Sequence, residues 1–284
     1  MKHDILMRIG IGTWTFGWSF GMPGFPKPIP TMTLLDLLEK AKELNVNLVQ
    51  MGENTPLDTY GKELLEEISA KASKMGINLE VITESTDPHK LSRFLEIAKI
   101  MKSKIVRTYT LNEEVERGIA SIIDNIRKVI REYEKENVTM LLENHEEISA
   151  MQLKEIVEGV GSKNIGILLD TGNSLGVEEP LYYVAEVLLP YTEEVHIKEY
   201  TIKRMEHKLG FEVFGVPVGE GRINIDKLIK TLIKAGKKHV HLIIEQWTPF
   251  QKTINATVRL EHMWAARNVE FLRNKLIEYG VYES

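Results

Sequence analysis

The chain has no cysteine among its 284 residues. That absence removes disulfide frameworks, thiolate zinc sites, iron–sulfur clusters and cysteine nucleophiles together. It fits a reducing compartment, and it fits a hot one equally. Long apolar runs are missing too: the longest are about five residues, against the ~20 that a membrane span needs. There is no basic surplus. The 36 Lys and Arg residues are outnumbered by 41 Asp and Glu, for a net charge of −5, so the footprint of a nucleic-acid binder is lacking. No Gly-x-Gly-x-x-Gly follows the first strand-like run and no Walker loop occurs, which leaves nucleotide folds without their signature. Met1-Lys2-His3-Asp4 lead straight into a β-like run, without the apolar segment of a secretory signal. We therefore expect a cytoplasmic protein with neither membrane nor nucleic acid as a partner.

What is present is a rhythm. Short β-branched runs occur at Arg8–Thr13, Leu48–Met51, Leu79–Thr83, Ile105–Tyr109, Thr139–Glu143, Gly166–Asp170, Glu194–Ile197 and Val240–Gln246. Between them lie amphipathic stretches with apolar residues at i, i+3, i+4 and i+7, such as Leu34, Leu37, Leu38 and Ala41, or Ile119, Ile122, Ile123 and Ile126. Thr31 or Thr33 can cap the first helix, Asp87-Pro88 can open another, and Gly76 and Gly236 stand where helices end. Strands alternating with helices mean βαβ units and a parallel sheet. Eight units of about 35 residues each are the size of a (β/α)8 repeat, so the expectation is one TIM-barrel domain over residues 1–284. A doubly wound open sheet is the structural alternative. Two stretches read as elaborated loops: Gly17–Pro30, rich in Gly, Pro and aromatics, and Glu199–Asn224. In a barrel both would lie at the C-terminal face, where active sites are built.

Four consecutive strands deliver an ionisable residue directly after apolar core. These are Glu143 on strand five, Asp170 on strand six, His196 on strand seven and Glu245 on strand eight. Each could be a loop contact, a cap or a core histidine if taken alone. Together on neighbouring strands they form a hard, oxygen-rich set that suits one divalent ion, Mn²⁺, Mg²⁺, Co²⁺ or Zn²⁺, with open coordination positions.

The phrases LLENHE (141–146), LLDTGNS (168–174), VHIKEY (195–200), GVPVGEGRINI (215–225) and IIEQW (243–247), in this order, resemble the xylose isomerase-like barrel superfamily of sugar isomerases, epimerases and related lyases. The resemblance spans nearly the whole chain. It implies Glu143, Asp170, His196 and Glu245 as metal ligands, with Glu143 and Glu245 as the catalytic pair flanking the substrate. GWSFGMPGFPKP (17–28), VQMGENTPL (49–57), DTGNSLG (170–176) and EQWTP (245–249) are similar to a decarboxylase subgroup that acts on 3-oxo-isoapionate. Apurinic endonucleases share the superfamily's fold. Asn173, standing where such an enzyme would carry a zinc histidine, disfavours that chemistry.

The expected reaction is isomerisation or epimerisation of a small ketose or sugar derivative through an enediolate. Decarboxylation of a 3-oxo sugar acid, which leaves an enediolate of the same kind, is the close alternative. A non-catalytic sugar-binding barrel is the third. The expected partner is a small polyhydroxy carbonyl compound, anionic if Arg107, Lys203, Arg204 or His207 holds a charged group. Trp14 and Trp18, in a loop with Phe16, Phe20 and Phe25, could cover sugar C–H faces, form a hydrophobic lid over the barrel, or make a contact between two copies. Gln50, Asn54, Glu84 and Asn173 are candidate contacts to hydroxyls. His145, Lys198 and Trp247, just beyond the same strand ends, complete the expected substrate-binding set.

Overall fold

A computed structural model describes residues 6–283, so the reading over Met1–Asp4 lies outside the described residues. The strands in chain order are β1 (Ile9–Gly12), β2 (Leu48–Met51), β3 (Asn78–Ile82), β4 (Ile105–Thr108), β5 (Thr139–Glu143), β6 (Ile165–Asp170), β7 (Thr192–Ile197), β8 (Tyr200–Arg204), β9 (Phe211–Gly215) and β10 (His241–Ile244). Strands β1 to β7 and β10 close into a parallel barrel in which β10 pairs with both β7 and β1. The eight strands expected from sequence are these eight. Every residue of β6 is buried, as a strand covered by helices outside and side chains inside must be.

The helices owe their faces to the pattern noted above. In the helix Leu34–Glu43, Leu34, Leu37, Leu38 and Ala41 are the buried residues. Burying a leucine contributes roughly 1.5–3 kcal/mol. Thr33 is the cap: its Oγ1 accepts from the Asp36 amide at 3.2 Å, and Asp36 returns a bond to the Thr33 amide at 2.9 Å. Asp87 caps the helix Pro88–Met101, and Gly76 ends Lys62–Met75 in the left-handed conformation. The long helix Ile254–Glu278 returns against β1 and β10 and buries three polar residues, Thr257, Glu261 and Asn268. No helix among the described residues is long and apolar enough to cross a membrane.

The stretch expected to be a loop at Glu199–Asn224 contains the antiparallel hairpin β8–β9, paired from Tyr200↔Gly215 to Arg204↔Phe211. Glu199 ties the base of this hairpin to the following segment. Its carboxylate accepts from the amides of Ile223 at 3.0 Å, Tyr200 at 3.2 Å and Gly219 at 3.3 Å. Gly221 must be glycine here, because a Cβ would run into the Tyr200 carbonyl and the Glu199 carboxylate. The other expected loop, after β1, begins with a short helix at Gly17–Phe20.

Candidate metal centre and pocket

Parallel strands all end on one side, so residues at their C-terminal ends converge. Asp170 lies opposite His196 in the β6–β7 ladder, and His196 lies opposite Ile243, two residues before Glu245. The side chains of Glu143, Asp170 and His196 are wholly buried, and Glu245 is nearly so. One ligand atom from each of the four lies within 4.8 Å of the others. His196 Nδ1 is 3.3 Å from a Glu143 oxygen, 3.3 Å from Glu245 and 3.7 Å from Asp170. It is buried without a hydrogen-bond partner. A buried nitrogen facing three carboxylates is costly unless a cation joins them, so this donor set could hold a divalent metal ion.

Neighbouring groups aim the set. Asp170 Oδ1 accepts from the amides of Gly172 (2.7 Å) and Asn173 (2.8 Å), which leaves Oδ2 toward the cluster. Asn144 bonds both the amide and the carbonyl of Asp170, locking β5 to β6 at their ends. Asn173 bridges Glu143 (3.0 Å) and Lys198 (2.9 Å).

Two buried cations complete the centre. Arg107, from β4, pairs with Glu143 and more distantly with Glu53 at 3.4 Å. Lys198 Nζ is 3.0 Å from Asp170 and 3.0 Å from Glu245. Burial pushes the Glu143 carboxyl up, but Arg107, His196 and Lys198 outweigh it and hold the group below the ordinary carboxylate range. Burial likewise raises Glu245, and His196 with Lys198 brings it below its usual value. At Asp170 burial wins over Lys198, and the group is raised.

Above the cluster opens a cavity of about 550 Å³. Of the residues expected to bind substrate, Trp14, Trp18, Arg107, His145, Asn173, Lys198 and Trp247 line it. Trp18 is fixed by its indole N–H on the Thr248 carbonyl at 2.7 Å and by an edge contact with Phe25. His145 stacks on Tyr109, with ring centres 4.2 Å apart.

Four others lie elsewhere. Gln50 is inside the barrel, bonded to His196. Asn54 bonds the Thr13 carbonyl, and Glu84 pairs with Lys90. Arg204 lies on the exposed hairpin over the Phe211 ring, and the hairpin's Lys203 and His207 are exposed as well. Exposed hairpin charges that do not line the cavity should not govern binding. We expect Arg204→Ala to leave kcat/KM for any substrate within about 2-fold of wild type, as for surface substitutions in general; a KM rise confined to anionic substrates would refute that. Phe16 belongs to the core, its ring tilted against His262 with centres 5.0 Å apart, rather than to a lid.

Glu53, Phe214 and Glu261 are among the lining residues that were not foreseen. Glu53 stands two positions after the end of β2, and its place beside the expected contact Asn54 was the available signal. Phe214 comes from the unexpected hairpin. Glu261 comes from the last helix, where nothing in the helical pattern separates it from its charged neighbours. Its carboxylate accepts from the amides of Trp18 (2.7 Å) and Ser19 (3.0 Å) and from the Ser19 hydroxyl (2.6 Å), so it anchors the aromatic loop. Burial raises Glu261 to about 7, against the pull of Ser19 and Trp18. Between an unfolded value of 4.5 and this value the folded chain keeps a proton that the unfolded chain has lost. Stability should therefore fall as pH rises through that window. Melting curves from pH 4.5 to 7 should slope downward in wild type and flatten in Glu261→Gln; parallel curves would refute the assignment.

Residues 38–275 match the xylose isomerase-like TIM barrel family. The chain belongs to that family. More particularly, it is 27% identical over 266 residues to the 3-oxo-isoapionate decarboxylase of Pectobacterium atrosepticum, covering 94% of this chain and 95% of that one. Among solved structures it resembles D-psicose 3-epimerase with D-tagatose from Clostridium cellulolyticum H10, with a TM-score of 0.72 at 15% identity over 95% of this chain and 99% of that one. It also resembles a xylose isomerase-like TIM barrel protein from Mycobacterium smegmatis in complex with magnesium, with a TM-score of 0.65 at 14% identity over 95% and 98%. These two likenesses concern the fold.

Proposed function

We propose that the chain is a metal-dependent decarboxylase of a small 3-oxo sugar acid. The carrying observation is that both strand-end glutamates are engaged by buried cations, Glu143 by Arg107 and Glu245 by Lys198. Carboxylates held in that way are poor bases. Epimerisation through a pair of glutamates needs a base on each face of the substrate, whereas decarboxylation needs none: the C–C bond breaks and its electron pair stays on the substrate. Arg107 and Lys198 both line the cavity and offer positive charge to an anionic substrate. The 27% identical relative is named for this reaction.

A divalent ion held by Glu143, Asp170, His196 and Glu245 would supply a Lewis acid for the negative charge that develops on the ketone oxygen. Three carboxylates and one imidazole favour Mg²⁺ or Mn²⁺. Arg107 and Lys198 bind and orient the carboxylate that leaves. Trp14, Trp18 and Trp247 cover the C–H faces of the substrate and exclude water, which strengthens every charge interaction inside. Carbon dioxide departs, and the enediolate left behind takes up a proton at carbon. A second reading, isomerisation or epimerisation, rests on Glu245, which borders the cavity and could move a proton if Lys198 released it.

The test is proton NMR in D₂O with Mn²⁺-free, Mg²⁺-loaded protein on a panel of 3-oxo sugar acids, ketoses and ketose phosphates. Loss of one carbon from a 3-oxo acid, with deuterium in the ketose product, is the expected result. Deuterium at an α-carbon without carbon loss would replace this reading by the second.

A further inference from the structure

The middle of the barrel holds a polar network that the reaction above does not use. Gln50, Glu80 and Glu194 come from β2, β3 and β7, and all three are at least 95% buried. Gln50 Nε2 is 2.8 Å from a Glu80 oxygen and 3.0 Å from a Glu194 oxygen. Gln50 Oε1 is 2.7 Å from His196 Nε2. The ladder puts Gln50 level with Glu80 and with Gly12, where a Cβ would press on the Gln50 carbonyl and Cβ.

The chemistry of the partners decides which way the amide points. Its nitrogen carries two hydrogens and no acceptor. Two carboxyl groups receive those hydrogens. The reverse orientation would set the amide oxygen against carboxyl oxygens on both sides. With the oxygen toward His196, the imidazole must donate from Nε2. Its other nitrogen, Nδ1, then presents a lone pair, and Nδ1 is the atom that faces Glu143, Asp170 and Glu245. We propose that Gln50, anchored by Glu80 and Glu194, is the positioning residue that fixes His196 as its Nε2–H tautomer and so presents Nδ1 to the ion. Glu80 and Glu194 act one step further back, by holding the amide. The inference rests on the metal reading above, and it assigns to three residues of the barrel interior a role in ion affinity.

The test uses Gln50→Met, which keeps length and removes both ends of the bridge. Mn²⁺ and Mg²⁺ affinities are measured by calorimetry on the wild-type and variant chains. Loss of such an outer partner typically weakens metal binding by about 10- to 100-fold, and that loss is the expected result, together with a smaller rise in melting temperature on adding Mn²⁺. A folded variant that binds Mn²⁺ as tightly as wild type overturns the proposal. A second measurement does not depend on the variant's folding. In Mg²⁺-loaded wild-type protein labelled with ¹⁵N-histidine, His196 should carry its proton on Nε2; a proton on Nδ1 overturns the proposal. If wild type binds neither ion in calorimetry, the metal reading itself fails and the role falls with it, an outcome distinct from equal binding by both chains.

Discussion

Glu245→Gln should lower turnover by roughly a thousand-fold or more while the barrel stays folded, the scale expected when a group stabilising developing charge is removed from an enclosed site. The substitution keeps shape and volume and removes one ligand charge. Lys198 loses one carboxylate but keeps Asp170 at 3.0 Å. The strand ladders around β10 involve backbone alone and are untouched. The measurement pairs turnover with the rise in melting temperature on adding Mn²⁺. Wild type should be stabilised by the ion through mass action, and the variant much less. A variant with near wild-type turnover would sink the assignment of Glu245 to the centre.

Arg107→Met should destabilise the chain by about 3–5 kcal/mol in the absence of a divalent ion. The reason is what it leaves behind. Arg107 is 2% exposed and faces Glu143, which has no exposure at all. Removing the guanidinium strands a carboxylate beside two others. A divalent ion supplies the missing positive charge, so Mn²⁺ should stabilise this variant more than it stabilises wild type. Urea midpoints with and without Mn²⁺ measure both effects. Equal stability of the two chains without the ion would show that the Arg107–Glu143 pair carries no net coupling.

The strands and the four centre residues were legible because burial acts on them directly. A parallel barrel strand is covered on both sides, so its sequence is a short apolar run, and the first ionisable residue after that run stands out. Glu143, Asp170 and Glu245 sit at that position, whereas His196 follows Glu193, Glu194 and a single valine and is marked by its place in the strand order. The hairpin β8–β9 was not legible, because most of its residues are partly or fully exposed and no apolar run marks it. Tyr200 is its one well-buried member before the terminal Gly215. Gln50 could be placed on a strand, but whether its side chain points inward or toward substrate depends on the shear of the closed barrel, which one sequence does not carry. Glu261 lies more than 240 positions from the Ser19 hydroxyl that it holds, a pairing that only the closed fold brings about.

The hairpin sends Val213, Phe214 and Gly215 to the rim of the cavity, yet it contributes nothing to the barrel ladder or to the four ligand positions. Its tip, residues 205–210, ends in solvent. Codons inserted or deleted there would lengthen or shorten the ribbon without moving a strand register. A lineage carrying this chain can therefore try new substrate shapes at the mouth while the ion cage beneath is inherited unchanged. Among its descendants, divergence should accumulate in the ribbon before it reaches the cage.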